Sequence, residues 1–204
     1  MANPVRYGDI LGLRNTEGGA FFLVDPQRSA PVGYASPSID PMADARAQWQ
    51  IVSAVGKASG TPIAAGDTVQ FVQVSSGQRL QAALNPPHQL AVQDAVHYDG
   101  FPYTLPPAYP GIWLDVWQIQ PTSGSEVSYD GTYTVTMNFT GGPEAAYPGQ
   151  LSTYVNREPG QPYPYSTYTV NHGLYAQYPD QSTAVYSLWG FALVRPIMPA
   201  SAPA

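Results

Sequence analysis

This sequence predicts an all-β domain built of three similar parts, and three observations carry the expectation. A tryptophan motif occurs three times, as Gln48-Trp49-Gln50-Ile51, Val116-Trp117-Gln118-Ile119 and Leu188-Trp189-Gly190-Phe191, with steps of 68 and 72 residues between the tryptophans. A period near 70 is too long for a solenoid unit and too regular for chance. Short apolar alternations bounded by Gly, Pro and Asn turns recur along the chain, which is the signature of strands. Helical periodicity is absent, the stretch from Pro41 to Trp49 being the one exception.

Taken in order, the chain opens with Val5-Arg6-Tyr7-Gly8-Asp9-Ile10-Leu11-Gly12-Leu13-Arg14-Asn15, a Gly18-Gly19 turn and the apolar run Ala20 to Val24. Alternation, glycine turn and second apolar run describe a β-hairpin. The pattern returns at a shift of 58, where Gly66-Asp67 matches Gly8-Asp9, Val69 and Phe71 match Leu11 and Leu13, and Gly77 matches Gly19. A weaker third copy lies 64 residues further on, with Tyr133 and Val135 at the apolar positions and the pair inverted to Asp130-Gly131. The acids of these motifs are expected to accept backbone or hydroxyl hydrogen bonds at the strand starts, and not to form a catalytic pair. The expected organisation is one domain over residues 1–204, with lobes at about 1–58, 59–124 and 125–197 and a C-terminal tail at 198–204.

Composition narrows the function classes. Gly and Pro make up 41 of 204 residues, only 11% are charged, and the net charge is −6. Lys57 is the one lysine among eight basic residues. With no basic cluster a phosphate backbone finds no electrostatic footprint, so nucleic-acid binding is not expected. No run of about 18 apolar residues is present and the N-terminus lacks the apolar region of a signal peptide. The expectation is a protein without membrane insertion, either cytoplasmic or exported without a recognisable signal. The absence of cysteine excludes disulfides and sulfur-ligated zinc.

Three lobes that each open on a Gly-Asp hairpin and close on Trp-x-Ile or Trp-x-Phe look like a β-trefoil, and Val5-x-Tyr7-Gly8-Asp9-x-Leu11-x-Leu13-x-Asn15 is similar to the repeat opening of the MIR and fascin-like branches of that superfamily. The resemblance implies a short six-stranded barrel with six further strands capping it. Ricin-type lectin lobes close on Gln-x-Trp, whereas Ala47, Asp115 and Ser187 stand at that position here. The three tryptophans are expected in the core, each burying about 150–250 Å² and pairing its indole N–H.

Function is sought in the unrepeated segments, because a symmetric core accounts for the shared residues. Pro26 to Asp44 reads as an extended loop with a short turn. The segment from His97 to Trp113 is dense in Tyr98, Phe101, Tyr103, Tyr109 and Trp113, with prolines between them. Prolines lower the entropy lost on ordering, so such rings can be held ready for a ligand. A sugar's C–H face stacks on aromatic rings while His97 or Asp99 hydrogen-bonds hydroxyls; the alternative is that the rings pack on the barrel flank. A further insertion, Gly141 to about Thr169, is rich in Tyr and Pro and suits recognition or presentation of a polyproline segment.

Catalytic and metal motifs are absent. His88, His97 and His172 show no metal spacing, and neither a nucleophile elbow nor a phosphate loop occurs. No enzyme activity, cofactor or metal is expected. The reading is a lectin-like carbohydrate-binding module for a glycan or glycoprotein, with ligand residues His97, Tyr98, Asp99, Tyr103, Tyr109, Trp113, His172 and Tyr175. The alternative is a protein-binding trefoil, such as a mycocypin- or Kunitz-like protease inhibitor or a fascin-like partner binder. Trp117-Gln118-Ile119-Gln120-Pro121 followed by Asp130-Gly131-Thr132-Tyr133 resembles the fungal inhibitors in that respect.

Overall fold

A closed ring of six antiparallel strands is the centre of the structure, a computed structural model that describes residues 3–16, 19–24, 33–36, 38–83, 90–93, 113–137, 149–156, 165–171, 183–186 and 188–197. The ring runs β1 (Ile10–Asn15), β4 (Trp49–Ser53), β5 (Thr68–Gln73), β9 (Trp117–Pro121), β10 (Tyr133–Met137) and β14 (Trp189–Arg195), and β14 returns to β1. Closure leaves the barrel without a free edge. The remaining strands extend from it. β2 (Phe21–Val24) and β3 (Gly33–Ser36) follow β1; β6 (Arg79–Ala83), β7 (Leu90–Gln93) and β8 (Trp113–Leu114) follow β5; β11 (Gly149–Asn156), β12 (Tyr165–Asn171) and β13 (Thr183–Tyr186) follow β10. Among the described residues the one helical element is a 3-10 turn at Ala45–Ala47, capped by Asp44, whose carboxylate accepts from the Arg46 N–H.

The interior follows from side-chain alternation. In β5 the buried positions are Val69, Phe71 and Gln73, every second residue, as the pleat dictates. The apolar pairs aligned in sequence, Leu11 with Leu13, Val69 with Phe71 and Tyr133 with Val135, are all buried. The three tryptophans have no solvent exposure. Each donates its indole N–H to a backbone carbonyl earlier in the chain: Trp49 to Phe22, Trp117 to Leu80 and Trp189 to Leu151. Each also sits between two neighbours across the ladder: Trp49 opposite Leu11 and Gln73, Trp117 opposite Val69 and Met137, Trp189 opposite Tyr133 and Asn15. Phe22 stacks on Trp49 at 5.3 Å and meets Trp189 edge-on at 6.2 Å.

One end of the barrel is drawn together by a ring of backbone hydrogen bonds. Val5 N–H donates to the Val127 carbonyl (2.9 Å), Val127 to Ile63 (3.3 Å) and Ile63 back to Val5 (2.9 Å), a three-membered hydrogen-bond ring among buried residues. Bridges Pro4–Ser128, Arg6–Pro62 and Ala64–Glu126 flank it. Gly8 and Gly66 follow at positive φ (96° and 79°), a backbone region that costs glycine nothing. At Gly8 the lack of a side chain is needed twice over, since a Cβ there would collide with the Ile197 side chain.

Two segments differ from their sequence reading. Pro26 to Asp44, expected as an extended loop, contributes β3, which pairs along its length with β2 from Phe21↔Ser36 to Val24↔Gly33. Gly141 to Thr169, expected as an insertion, contributes β11 and most of β12, paired from Gly149↔Asn171 to Thr153↔Thr167. Thr, Tyr and Val recur in β11 and β12, and that β propensity outweighs the neighbouring prolines.

Candidate functional site

Trp113 is the point at which the sequence-selected aromatic segment meets the described structure. His97, Tyr98, Asp99, Tyr103 and Tyr109, together with His172 and Tyr175, lie outside the described residues. The backbone of Trp113 is in β8, opposite Ala83 of β6, and Leu114 is opposite Ala82. β7 lies on the other side of β6, with Leu90 opposite Ala82 and Gln93 opposite Arg79. β7 and β8 are therefore both paired to β6, on opposite sides of it.

A polar group stands beside β8. Asp115 Oδ2 accepts from Arg79 Nη1 at 2.9 Å and from Gln70 Nε2 at 2.8 Å. The Arg79 and Asp115 side chains are 35% and 16% exposed, so water reaches the pair. Arg79 is the first residue of β6 and Gln70 belongs to β5. In the sequence Asp115 stands out only for its place before Trp117; the signal that could have marked it is a carboxylate in a chain so poor in charge.

The strand-start carboxylates behave as expected. Asp9, 2% exposed, accepts from the Arg6 and Ile197 N–H groups and from the Tyr129 hydroxyl (2.7 Å). Asp67 accepts from the Ala64 N–H, the Tyr7 hydroxyl (2.8 Å) and Lys57 Nζ (2.6 Å). Burial, then the bond to the partner carboxylate, pushes both tyrosine hydroxyls far above their ordinary range. They remain protonated donors. Burial works to raise Asp67, but Lys57, the Ala64 N–H and the Tyr7 hydroxyl outweigh it and hold the acid below its ordinary value. Each carboxylate is thus engaged as a hydrogen-bond acceptor.

The third such corner is built differently. Ala65 stands where the other two have Tyr7 and Tyr129, and Gly131 where they have Asp9 and Asp67. Tyr133 fills the space: its hydroxyl accepts from the Ser128 N–H and donates to the Ser128 carbonyl, both at 2.6 Å. A Cβ at residue 131 would overlap that hydroxyl. Hydroxyl donor and carboxylate acceptor are missing together, so neither is left unpaired.

Among the described residues no group of three or more His, Cys, Asp or Glu could hold a metal ion, and no helix is long and apolar enough to cross a membrane. No protein-family model matches the chain, and no curated protein matches its sequence. Solved structures do match. An SDF2-like protein from Arabidopsis thaliana aligns with a TM-score of 0.62 at 13% identity, over 93% of this chain and 94% of that one. A Caenorhabditis elegans protein of unknown function gives 0.61 at 16% identity, over 94% and 97%. The fold is a β-trefoil. The Saccharomyces cerevisiae protein O-mannosyltransferase Pmt1-Pmt2 complex, solved with its sugar donor, gives 0.59 at 15% identity; 98% of this trefoil aligns with 29% of that chain. At these identities the likeness speaks for the fold alone.

Proposed function

We propose that this β-trefoil is a non-catalytic, lectin-like carbohydrate-binding module whose partner is a glycan or glycoprotein. Its ligand surface is the aromatic and proline-rich segment from His97 to Trp113, through His97, Tyr98, Asp99, Tyr103, Tyr109 and Trp113, joined by His172 and Tyr175. The observation that supports the reading is the attachment of this segment: β7 and β8, the strands on either side of it, are both paired to β6. Aromatic rings held on such a scaffold present flat apolar faces to the C–H side of a sugar. The engaged state of Asp9 and Asp67 supports a binding role over a hydrolytic one, which needs two carboxylates free to act across a cleft. A trefoil within a mannosyltransferase complex adds a carbohydrate setting for the fold. The recurring tryptophan contacts support lobes near 1–58, 59–124 and 125–197.

The test is a glycan array covering neutral, sulfated and sialylated sugars, probed with the intact chain and with Tyr103→Ala and Tyr109→Ala. Substitution of exposed binding residues should leave stability within about 0.5 kcal/mol while weakening capture. Absence of capture by any glycan, or substitutions that destabilise the fold and leave capture unchanged, would refute the proposal. Tight inhibition of a protease by the intact chain would transfer the role to protein binding.

A further inference from the structure

We infer that the seam between β10 and β14, at the barrel end where Gly131 approaches Gly190, is a binding site for a carboxamide, the side-chain group of a partner's Gln or Asn; the inference stands apart from the proposed glycan site. The other two seams show what this end of a seam contains when it is complete. Between β1 and β4 the Ile51 N–H donates to the Asp9 carbonyl and the Gly8 N–H to the Ile51 carbonyl, and between β5 and β9 the residues Ile119, Asp67 and Gly66 repeat both bonds. A glutamine adds a third bond in each: Gln50 Nε2 donates to the Gly8 carbonyl and Gln118 Nε2 to the Gly66 carbonyl.

The third seam has none of the three. Its aligned residues are Asp130 for Gly8 and Gly66, Gly131 for Asp9 and Asp67, Gly190 for the glutamines and Phe191 for Ile51 and Ile119. Among the backbone bonds of the described residues, the Phe191 N–H does not reach the Gly131 carbonyl, nor the Asp130 N–H the Phe191 carbonyl. β10 and β14 share one register pair, Tyr133↔Trp189, where the other seams have two. Thr16 N–H donates to the Leu188 carbonyl, so the β1–β14 bonds fall on Arg14↔Gly190 and Gly12↔Ala192 and leave the Phe191 N–H and carbonyl turned toward Gly131. Tyr133 and Phe191 stack at 4.9 Å where the other seams have Leu11 with Ile51 and Val69 with Ile119, and this ring pair holds the strands apart.

A primary carboxamide carries an acceptor and two donors in one plane. It can accept from the Phe191 N–H and donate to the Gly131 carbonyl, as the two glutamines donate in their seams. A Cβ placed at residue 190 would lie 3.4 Å from Thr16 Cγ2 and 3.6 Å from the Gly131 carbonyl oxygen, ordinary contacts, so the neighbouring chain does not fill the place a glutamine takes elsewhere. The corner is also less covered. Tyr129 and Tyr7 reach across to Asp9 and Asp67, whereas Ala65 has no ring to lay over Gly131. Thr61, which accepts from the Tyr7 N–H, comes ten residues after Ile51; Ser125, which accepts from the Ala65 N–H, comes six after Ile119.

The test uses the intact chain, amide hydrogen exchange read by NMR, and propionamide as the probe. The Phe191 and Asp130 amides should exchange about tenfold or more faster than their counterparts Ile51, Ile119, Gly8 and Gly66, because they lack the ladder bond. Propionamide should shift the Asp130, Gly131 and Phe191 resonances saturably, with a Kd on the order of 1–10 mM for so small a ligand, and should slow exchange at Phe191. A short peptide with a central Gln should bind more tightly than the same peptide with Met in its place. Gly190→Gln, which supplies the group from within, should weaken propionamide binding about tenfold or more without lowering the melting temperature. If that variant fails to fold, exchange and titration on the unaltered chain still decide. Equal protection at all three seams, or no saturable response to propionamide, would overturn the inference. A response to N-acetylglucosamine without one to propionamide would overturn the carboxamide assignment, and a response to propionamide without one to the Gln peptide would overturn the partner side chain as its source.

Discussion

Removing the Tyr129 hydroxyl isolates one bond whose strength can be worked out from its surroundings. In Tyr129→Phe the ring stays and the donor to Asp9 Oδ2 at 2.7 Å is lost. Asp9 is 2% exposed, so water cannot replace the donor, and the carboxylate is left with the Arg6 and Ile197 N–H groups. A hydrogen bond to a charged group contributes about 1.5–3 kcal/mol. In a domain of this size that lowers the melting temperature by about 3–12 °C. Tyr7→Phe is the internal control. Asp67 keeps Lys57 and the Ala64 N–H, and its side chain is 14% exposed, so the expected loss is smaller, about 0.5–1.5 kcal/mol. Urea titrations followed by circular dichroism give both values. A cycle with Asp9→Asn should return a coupling of about 1 kcal/mol or more for Tyr129. A loss below about 0.5 kcal/mol in Tyr129→Phe, or a larger loss in Tyr7→Phe, would refute the claim that the buried acid depends on this donor.

Two further outcomes are expected. Trp117→Ala should cost about 3–5 kcal/mol, as for large aromatics in cores, and Trp117→Phe less; a cost under about 1 kcal/mol in the alanine variant would mean the indole is not packed. For pH, Asp67 is depressed in the folded state, so its contribution is present above the ordinary carboxylate value of 3.8 and is lost as pH falls below it. Tyr7 and Tyr129 are raised, so their contribution is present below pH 10 and is lost as pH rises beyond it. Stability should fall at both extremes, and phenolate absorbance of these two tyrosines should appear only with alkaline unfolding. Asp44 is depressed as well, by its bond from Arg46, so Asp67→Asn should make the acid limb shallower without abolishing it; an unchanged limb in that variant would overturn the Asp67 assignment.

Much of the barrel was legible because core burial writes itself as period and spacing. Leu11, Val69 and Tyr133 align with one another in the sequence alone, and so do the three tryptophans, since each repeats a local pattern. The corner ties do not. Tyr7 bonds an acid 60 residues away and Tyr129 one 120 residues away; the Gly-Asp repeat marks both acids as acceptors, but nothing local says which hydroxyl each receives. The third corner shows in the sequence only as an inverted Asp130-Gly131; that Tyr133 occupies the vacated space is a packing fact. β11 and β12 were hidden by flanking Tyr and Pro composition, which says nothing about pairing. Of the candidate site, Trp113 is described through its backbone alone and the other seven residues fall outside the described positions. Asp115 marks, in the sequence, only a motif it fails to complete; its bond to Arg79 depends on strand register.

The ring through Val5, Ile63 and Val127 bears on the order of folding. Its members are 58 and 64 residues apart, so no part of a chain emerging from synthesis can complete it until residue 127 is available. Before that moment the N–H of Val5 lacks its native acceptor, the Val127 carbonyl, and is left to water. Such long-range closure slows folding and makes it strongly cooperative. A nascent chain that stops within the first 120 residues is therefore expected to expose apolar barrel strands and to aggregate. Circular permutants that keep all three segments should still close the ring, at a rate set by how far apart the new connectivity places them.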